Sequence, residues 1–184
     1  MKGVYKSLNE NESKLIKKIK KGDHEAFKCL YEKHADYALR TAYSITKNRS
    51  DASDIVQETF IKIYRNIETF DVKRPFKPWF YQILINESRS YLSKRSKQAI
   101  NIESDRLLDQ LNRNAEKDRQ FDELELGLDE LDDKDRTILT LKYLNGFTEK
   151  EIAKMLGANV NTIKSRLYKG RQRLKVAMGG MKDE

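Results

Sequence analysis

The C-terminal part of the chain carries a run of cations that could bind phosphates. Between Ile163 and Met178 there are six basic side chains and no carboxylate. Those six are Lys164, Arg166, Lys169, Arg171, Arg173 and Lys175. A solvated helix face normally mixes both signs of charge, so a run of one sign points to a polyanionic ligand. The formal net charge of +8 favours nucleic acid as that ligand.

The residues around the start of this run have the spacing of a helix-turn-helix unit. Such a unit needs a small residue where two helices cross, a turn residue with positive φ, and an apolar anchor in the second helix. Ala153, Gly157 and Ile163 meet these requirements in that order. Thr148 and Glu151 predict a capping box at the start of the first helix. The unit therefore predicts binding of duplex DNA through the major groove.

Helical periodicity divides the second helix of this unit into an inward and an outward face. With Ile163 inward, a turn of about 100° per residue places Val160, Leu167, Gly170 and Leu174 toward the core. The outward face then carries Asn161, Thr162, Lys164, Ser165, Tyr168, Lys169 and Gln172. Side chains of these types donate to bases and phosphates. The alternative is an ordinary helical hairpin with a basic solvated face, and the Ala, Gly and Ile spacing favours DNA binding over it.

A second basic stretch lies in the N-terminal half of the chain. Residues 73–97 hold seven bases against one acid, Glu87. The aromatic residues between them are Phe76, Trp79, Phe80, Tyr81 and Tyr91. Cations beside rings suit single-stranded nucleic acid, because unstacked bases lie on the rings while phosphates meet Lys and Arg. The alternative is that most of these rings, Trp79 and Phe80 first, belong to the hydrophobic core.

The elements that must position these residues are helices. Apolar positions recur at helical spacing along nearly the whole chain, which predicts an all-α protein. We expect N-terminal helices at about residues 15–19, 24–45, 51–67 and 79–94. Asp23 is the expected N-cap of the second helix, and residues 48–50 form the turn after that helix. Pro78 lies in the first turn of the fourth helix.

The pattern divides into two small helical domains joined by a flexible linker. We assign the N-terminal helical bundle to residues 10–95, the linker to residues 96–121 and the helix-turn-helix domain to residues 122–178. The linker is expected to be acidic and weakly periodic, since residues 96–123 hold seven acids and five bases. In the C-terminal domain we expect four short helices, with breaks near Asp132, Asn145-Gly146 and Gly157.

The sequence contains no motif that predicts an enzyme. It has no Gly-rich phosphate loop, no nucleophile beside a histidine and no metal-ligand spacing, so we expect no catalytic residue, cofactor, metal or small-molecule substrate. Cys29 is predicted to be a small core residue on an apolar stripe with Phe27 and Leu30. His24 is predicted at a helix start and His34 at the edge of the core. Without a signal peptide or membrane span, the expected location is the cytoplasm.

Two segments resemble the conserved regions of the extracytoplasmic-function sigma factors, the small initiation subunits of bacterial RNA polymerase. The stretch DIVQETFIKIYRNIETF, followed by FKPWFYQILINESRSYL, resembles the second conserved region of that family. The stretch LDELDDKDRTILTLKYLNGFTEKEIAKMLGANVNTIKSRLYKGRQRL resembles the fourth conserved region of that family. The resemblance covers about residues 12–95 and 122–176.

The resemblance implies a function and a set of partners. It implies an initiation factor that binds the β and β′ subunits of core RNA polymerase, directs the enzyme to specific promoter DNA and helps melt the minus-ten element. The helix that docks on the β′ subunit corresponds to Asp54, Gln57, Glu58 and Ile61. The resemblance also implies an anti-sigma factor, often membrane-embedded, that blocks these surfaces.

The resemblance further implies two DNA-binding sets of residues. The minus-ten set is Phe70, Lys73, Arg74, Phe76, Lys77, Asn86, Arg89 and Ser90. The minus-thirty-five set is Asn161, Thr162, Lys164, Ser165, Arg166, Tyr168, Lys169, Arg171 and Arg173. Phe70 and Phe76 are expected to stack on opened bases, and Asn86 offers a donor and an acceptor to a flipped base. For Phe70 the alternative is a core residue that closes the preceding helix.

Two other classes of protein fit part of the sequence. In a one-component regulator the first 95 residues would sense a ligand or dimerise, while the helix-turn-helix unit bound an operator without polymerase. A helical adaptor would explain the helices but not the basic outward face. A gel shift without core polymerase separates the regulator from an initiation factor.

Overall fold

The computed structural model describes residues 12–99 and 131–179, with side chains for residues 12–95 and 131–176. Its helices are α1 (12–19), α2 (His24–Thr46), α3 (Arg49–Asn66), α4 (Phe76–Ala99), α5 (Asp133–Leu139), α6 (Glu149–Leu156) and α7 (Val160–Gly179). A 3-10 turn, Ile67–Thr69, follows α3, and a π turn, Thr140–Leu144, follows α5. Within these ranges there is no strand, which confirms the all-α prediction. Most of the predicted linker and the first of the four predicted C-terminal helices lie outside the described residues.

Local signals set the ends of the N-terminal helices. The Asp23 carboxylate accepts a hydrogen bond from the Ala26 backbone N–H at 3.0 Å and caps α2, as predicted. The turn predicted at residues 48–50 is shorter than expected, and α3 begins at Arg49. The reason is that Lys47 takes the left-handed conformation, with φ 55°, and the Asn48 side chain caps α3.

The core of the N-terminal bundle lies where α2, α3 and α4 pack together. Leu30, Ala38, Ile63, Phe80 and Leu84 are completely buried there. Helix α4 is longer at both ends than the predicted residues 79–94, so residues 96–99 belong to a helix rather than to the linker. None of the described helices is both long and apolar enough to cross a bilayer.

The prediction for Cys29 is wrong, because its side chain is exposed. The buried face of α2 follows Ala26, Leu30 and His34, each four residues apart. Cys29 precedes Leu30 by one residue and is therefore turned away from that face by about 100°. His34, predicted at the core edge, is almost fully buried, and His24 is the first residue of α2.

The C-terminal unit is built from α5, α6 and α7. Asp132 caps α5, and the predicted breaks near Asp132, Asn145-Gly146 and Gly157 are confirmed by the helix bounds. Helix α7 crosses α5 at Gly170, where an added Cβ would lie 3.0 Å from Leu139 Cδ1. The lack of a side chain at Gly170 therefore allows the close approach of the two helices.

Candidate DNA-binding and polymerase-docking surfaces

The helix-turn-helix unit forms as its spacing predicts. Thr148 and Glu151 make a reciprocal capping box at the start of α6. Gly157 ends α6 with φ 62°, and the Ala158 N–H donates to the Ala153 carbonyl at 2.9 Å. Ile163 is 1% exposed and anchors α7 to the core. These contacts fix the angle at which α7 leaves the turn, and with it the direction of its outward face.

The outward face of α7 is exposed where the periodicity places it. The exposed members of the minus-thirty-five set are Asn161, Thr162, Lys164, Ser165, Tyr168, Lys169, Arg171 and Arg173, and Arg166 is partly buried. Asn159 caps the start of this helix, because its side-chain oxygen accepts from the Asn161 N–H at 2.8 Å. Amide, hydroxyl and ammonium groups therefore stand on one continuous surface, as base and phosphate recognition requires.

Two arginines of the minus-thirty-five set are engaged inside the protein. The Arg166 guanidinium donates to Asp135 Oδ1 at 2.8 Å, and the Arg173 guanidinium donates to Asp135 Oδ2 at 3.4 Å. Asp132 lies within 3.7 Å of both guanidinium groups. Because Asp135 is buried in α5, these pairs join α7 to α5. DNA contact by Arg166 and Arg173 stays a prediction, and their partner is a carboxylate that the sequence did not single out.

The minus-ten set contributes a polar face on α4. Asn86, Arg89 and Ser90 are exposed and lie three and four residues apart, on one side of the helix. Gln82 extends this face, since its Nε2 donates to Asn86 Oδ1 at 3.3 Å. Sequence reasoning missed Gln82, although its position four residues before Asn86 was a usable signal.

The far end of α4 is held against the start of α3. The Tyr91 hydroxyl donates to Asp51 Oδ1 at 2.7 Å, and the Arg95 guanidinium pairs with the other oxygen of Asp51. Burial and the hydrogen bond to Asp51 raise the pKa of Tyr91 to about 12. The Lys62 ammonium also lies 2.6 Å from Glu87 Oε2, which ties the middle of α3 to α4. The direction of the polar α4 face is therefore fixed at two points.

The loop before α4 separates its aromatic residues from its cations. Phe70 and Phe76 are 5% and 2% exposed, with the Phe70 ring centroid 4.6 Å from that of Trp79. Lys73 and Arg74 are exposed, so the loop offers charge rather than rings to a ligand in this conformation. This burial favours the alternative in which Phe70 closes the preceding helix, and stacking of bases on Phe70 or Phe76 stays a prediction.

The predicted docking residues lie on the exposed side of α3. Asp54, Gln57 and Ile61 are exposed, and Glu58 is half-buried. Lys62 lies 4.0 Å from Glu58 but is held more closely by Glu87, so the Glu58 carboxylate has no strong partner among the described residues. The four side chains therefore present amide, carboxylate and apolar groups on one helix, as a protein-docking surface does.

Beside these residues the structure shows an apolar groove between α2 and α3. It encloses about 820 Å³ and is lined by side chains of both helices. Gln57 and Ile61 form part of one wall with Tyr64, and Phe27 and Tyr31 form part of the other. Tyr31 and Tyr64 are 45% and 43% exposed, although both are large aromatic residues. The contribution of α2 was missed from the sequence, where Phe27 was assigned only to an apolar stripe.

The two helical units are in contact through a small polar network centred on Asn145. The Asn145 side chain accepts from the Thr41 hydroxyl at 3.2 Å and donates to the Tyr81 hydroxyl at 2.8 Å. Its backbone carbonyl accepts from the Lys77 ammonium at 2.6 Å. Burial lowers the pKa of the Lys77 ammonium. Burial also raises the pKa of the Tyr81 hydroxyl, because its effect is larger than the opposing effect of the hydrogen bonds to Thr41 and Asn145.

Other contacts extend this Asn145 network along both units. The Arg136 guanidinium, 2% exposed, donates to the Ser44 carbonyl at 3.3 Å, and Gln82 Nε2 donates to the Met155 carbonyl at 3.0 Å. Two members of the extended minus-ten surface, Lys77 and Gln82, are therefore engaged by the C-terminal unit. The sequence did not predict this contact between the units.

The two helical units, the second of which contains a helix-turn-helix, correspond to the two conserved regions of the sigma-factor class of protein. The Sigma-70 region 2 family matches residues 30–98, and the Sigma-70 region 4 family matches residues 121–174. RNA polymerase sigma factor SigV of Bacillus subtilis is 33% identical over 150 residues, which cover 82% of this chain and 89% of that protein. The ECF RNA polymerase sigma factor SigW of the same bacterium is 31% identical, covering 88% and 94%.

A solved structure shows the same fold. The sigma factor RpoE from Bartonella quintana, in complex with the anti-sigma factor NepR, aligns with a TM-score of 0.69 and 25% identity. The alignment covers 83% of this chain and 96% of that one. The chain therefore belongs to the extracytoplasmic-function sigma factors.

Proposed function

We propose that this sigma factor binds core RNA polymerase through the exposed side of α3 and the adjoining groove. Gln57 and Ile61 belong both to the predicted docking set and to the groove wall. That coincidence carries the proposal, because an apolar groove with exposed aromatic residues and flanking polar groups is typical of a protein interface. Tyr31 and Tyr64 are the aromatic anchors, since large rings in such a pocket dominate binding energy.

The minus-ten element is opened and held by the loop before α4 and by the polar face of α4. Lys73 and Arg74 attract the phosphates, and Asn86 supplies a donor and an acceptor to the edge of an extruded base. Arg89 and Ser90 lie beside Asn86 on the same side of α4, where they extend the contact along the strand. The burial of Phe70 and Phe76 means that base stacking on these rings requires the loop to move first.

The minus-thirty-five element is bound by α7 in the major groove. Asn161, Thr162 and Ser165 discriminate between bases, while Lys164 and Lys169 bind phosphates. The division follows from chemistry, because hydroxyl and amide groups match the donors and acceptors of base edges and an ammonium is a point charge. The family assignment decides against a one-component regulator, which would bind its operator without polymerase.

The function is exercised in the cytoplasm and is controlled by an anti-sigma factor that covers the same surfaces. Complex formation with NepR by the similar RpoE of Bartonella quintana supports a partner of this kind. The groove between α2 and α3 is the surface we expect the inhibitor to share with polymerase, because its exposed tyrosines, Tyr31 and Tyr64, are available to either partner.

Reconstituted transcription tests the proposal. Core RNA polymerase with this chain should initiate at promoters whose start sites are then mapped, and core enzyme alone should not. Glu58→Lys should weaken binding to core enzyme at least tenfold, with helix content unchanged, because the reversal places a cation in the docking surface. Glu32→Lys on the exposed side of α2, outside the groove, is the matched control. Equal core affinity of the two variants in an anisotropy titration would refute the docking assignment.

A further inference from the structure

Among the described residues, the first helix, α1, has an exposed face that carries only lysine. Between Ser13 and Gly22 there are five lysines and no carboxylate. Ile16 and Ile19 are buried, whereas Lys14, Lys17 and Lys18 are exposed. Residues three and four apart share one side of a helix, so these three side chains form a lysine stripe on α1. Residues 12–19 precede the segment 30–98 that matches the family.

No carboxylate of the described chain pairs with the lysine stripe. The nearest acid in sequence, Glu12, is 5% exposed and lies 2.8 Å from the Lys33 ammonium and 3.2 Å from His34 Nε2. Like charges three and four residues apart destabilise a helix by about 0.2–0.5 kcal/mol per pair. The stripe therefore weakens α1 slightly, and its arrangement is not explained by the stability of the helix.

The edge of α1 next to the stripe is attached to the loop that carries Lys73 and Arg74. The Ser13 hydroxyl donates to the Val72 carbonyl at 3.3 Å. The Lys20 ammonium donates to the carbonyls of Glu68 and Phe70, both at 2.7 Å. Lys17 lies three residues before Lys20 and four after Ser13, so its Cβ is about 5–6 Å from each of theirs. The lysine stripe therefore lies on the element next to the loop that carries the exposed cations Lys73 and Arg74.

We propose that the lysine stripe of α1 binds promoter phosphates next to the minus-ten strand held by the loop and α4. This inference rests on the proposed function of that loop. The chemistry is sequence-independent, because an ammonium reads charge and carries no base information. The stripe lengthens the phosphate-binding track of the N-terminal unit by one helix. Each phosphate neutralised on a single strand releases counterions and contributes about 0.7 to the salt slope of binding.

The test uses the complete chain bound to core polymerase and a promoter whose minus-ten region is already mismatched. The triple variant Lys14→Gln, Lys17→Gln, Lys18→Gln should flatten the plot of log affinity against log salt by about 2, which is three lost contacts. The triple Lys-to-Arg variant at the same positions keeps the charge and should retain the wild-type slope. The double variant Arg49→Gln, Lys134→Gln removes one exposed cation at the start of α3 and one on α5. Neither cation belongs to the lysine stripe, so this variant should also leave the slope unchanged.

The outcomes separate this inference from the proposed function. If wild-type protein opens promoters but the Gln variant has an unchanged slope, the stripe does not bind promoter phosphates and the proposed function stands. If wild-type protein with core polymerase opens no promoter, the proposed function itself fails. Anionic phosphatidylglycerol vesicles provide a further arm, using the free chain. Vesicle binding that the Gln substitutions abolish, with no change in the promoter slope, would overturn the inference in favour of a membrane surface.

Discussion

Asp135 is one of the residues that hold α7 in position. Its carboxylate is nearly buried and receives both Arg166 and Arg173 from α7. Hydrogen bonds to a charged group contribute about 1.5–3 kcal/mol when protected, and the partial exposure of both arginines reduces this. The pairs therefore join the DNA-facing helix to the core through residues that sequence reasoning had assigned to DNA.

Replacing this carboxylate tests its structural role. Asp135→Asn should lower the free energy of unfolding by about 1–2 kcal/mol, because two guanidinium groups lose their charged partner. Asp133→Asn is the matched control, since Asp133 is exposed and its ion-pair partner among the described residues is Arg136, at 3.5 Å. Urea unfolding measures both. Similar losses in the two variants would show that the buried carboxylate has no special importance.

Glu12 gives the N-terminal bundle a defined sensitivity to acid. Burial acts to raise the pKa of Glu12, but the contacts with His34 and Lys33 outweigh it, so the pKa lies below 4.5. A carboxylate with a lowered folded-state pKa stabilises the fold above its unfolded value and loses that contribution as pH falls through the folded value. The melting temperatures of wild type and Glu12→Gln should therefore differ at neutral pH and converge below pH 4.5.

The exposed Glu32 supplies the comparison for Glu12. Glu32→Gln should melt within a degree or two of wild type at every pH, because an exposed carboxylate contributes little to stability. A gap between wild type and Glu12→Gln that does not shrink as the pH falls well below 4.5 would contradict the assignment of a lowered pKa to Glu12.

At the scale of elements, the turn between α6 and α7 depends on backbone conformation rather than on space. Gly157 has φ 62°, and a Cβ added there would meet no heavy atom within 4 Å. Gly157→Ala should therefore cost roughly 1–2 kcal/mol through backbone strain alone, and Gly157→Asn should cost less, since Asn tolerates this conformation. Chemical unfolding compares the three proteins. Equal losses for Ala and Asn would point to packing instead of strain.

The helices were predictable because their signals are local. Asp23, Thr148 with Glu151, and Gly157 act within three or four residues, and the outward face of α7 follows from periodicity alone. Contacts between distant elements were not predictable in this way. The pairing of Asp135 with Arg166 spans 31 residues. It depends on how α5 and α7 cross, which no local pattern encodes.

The difference between local and long-range signals also explains why only part of the candidate sites could be predicted from the sequence. The resemblance assigned Asn86, Arg89 and Ser90 to the minus-ten set, and the structure shows them exposed on one side of α4, whereas the loop aromatics could belong either to a core or to a ligand surface. Phe76 shows the difficulty, because a basic neighbourhood in sequence coexists with a ring that is 2% exposed. The groove between α2 and α3 required both helices in place before its two walls could be recognised as one surface.

At the scale of the whole molecule, Asn145 connects the two units. Its amide bonds to Thr41 and Tyr81 while its carbonyl accepts from Lys77. Asn145→Ala removes the donor to the buried Tyr81 hydroxyl, which costs about 1–3 kcal/mol where water does not replace it, while the Thr41 hydroxyl keeps its bond to the Tyr37 carbonyl at 2.7 Å. We expect the contact between the units to open, the radius of gyration from small-angle X-ray scattering to increase, and binding of a minus-ten oligonucleotide by the free chain to strengthen.

The exposed Asn66 provides the control for this prediction. Its side-chain amide donates only within α3, to the Lys62 carbonyl at 2.8 Å, so Asn66→Ala should leave the radius of gyration unchanged. An Asn145→Ala protein as compact as wild type, with unaltered oligonucleotide affinity, would show that this network does not hold the units together.

Helix α7 is held in place by residues on its inner side, and these are different from the residues on its exposed side. Ile163, Gly170 and the Asp135 pairs all act on the side facing the core. Outward side chains such as Asn161, Thr162 and Ser165 contribute little to that support, so they can be exchanged as a block. With the proposed role of α7, transplanting the outward residues of another recognition helix onto this scaffold is expected to direct the polymerase to the promoters that the donor helix reads.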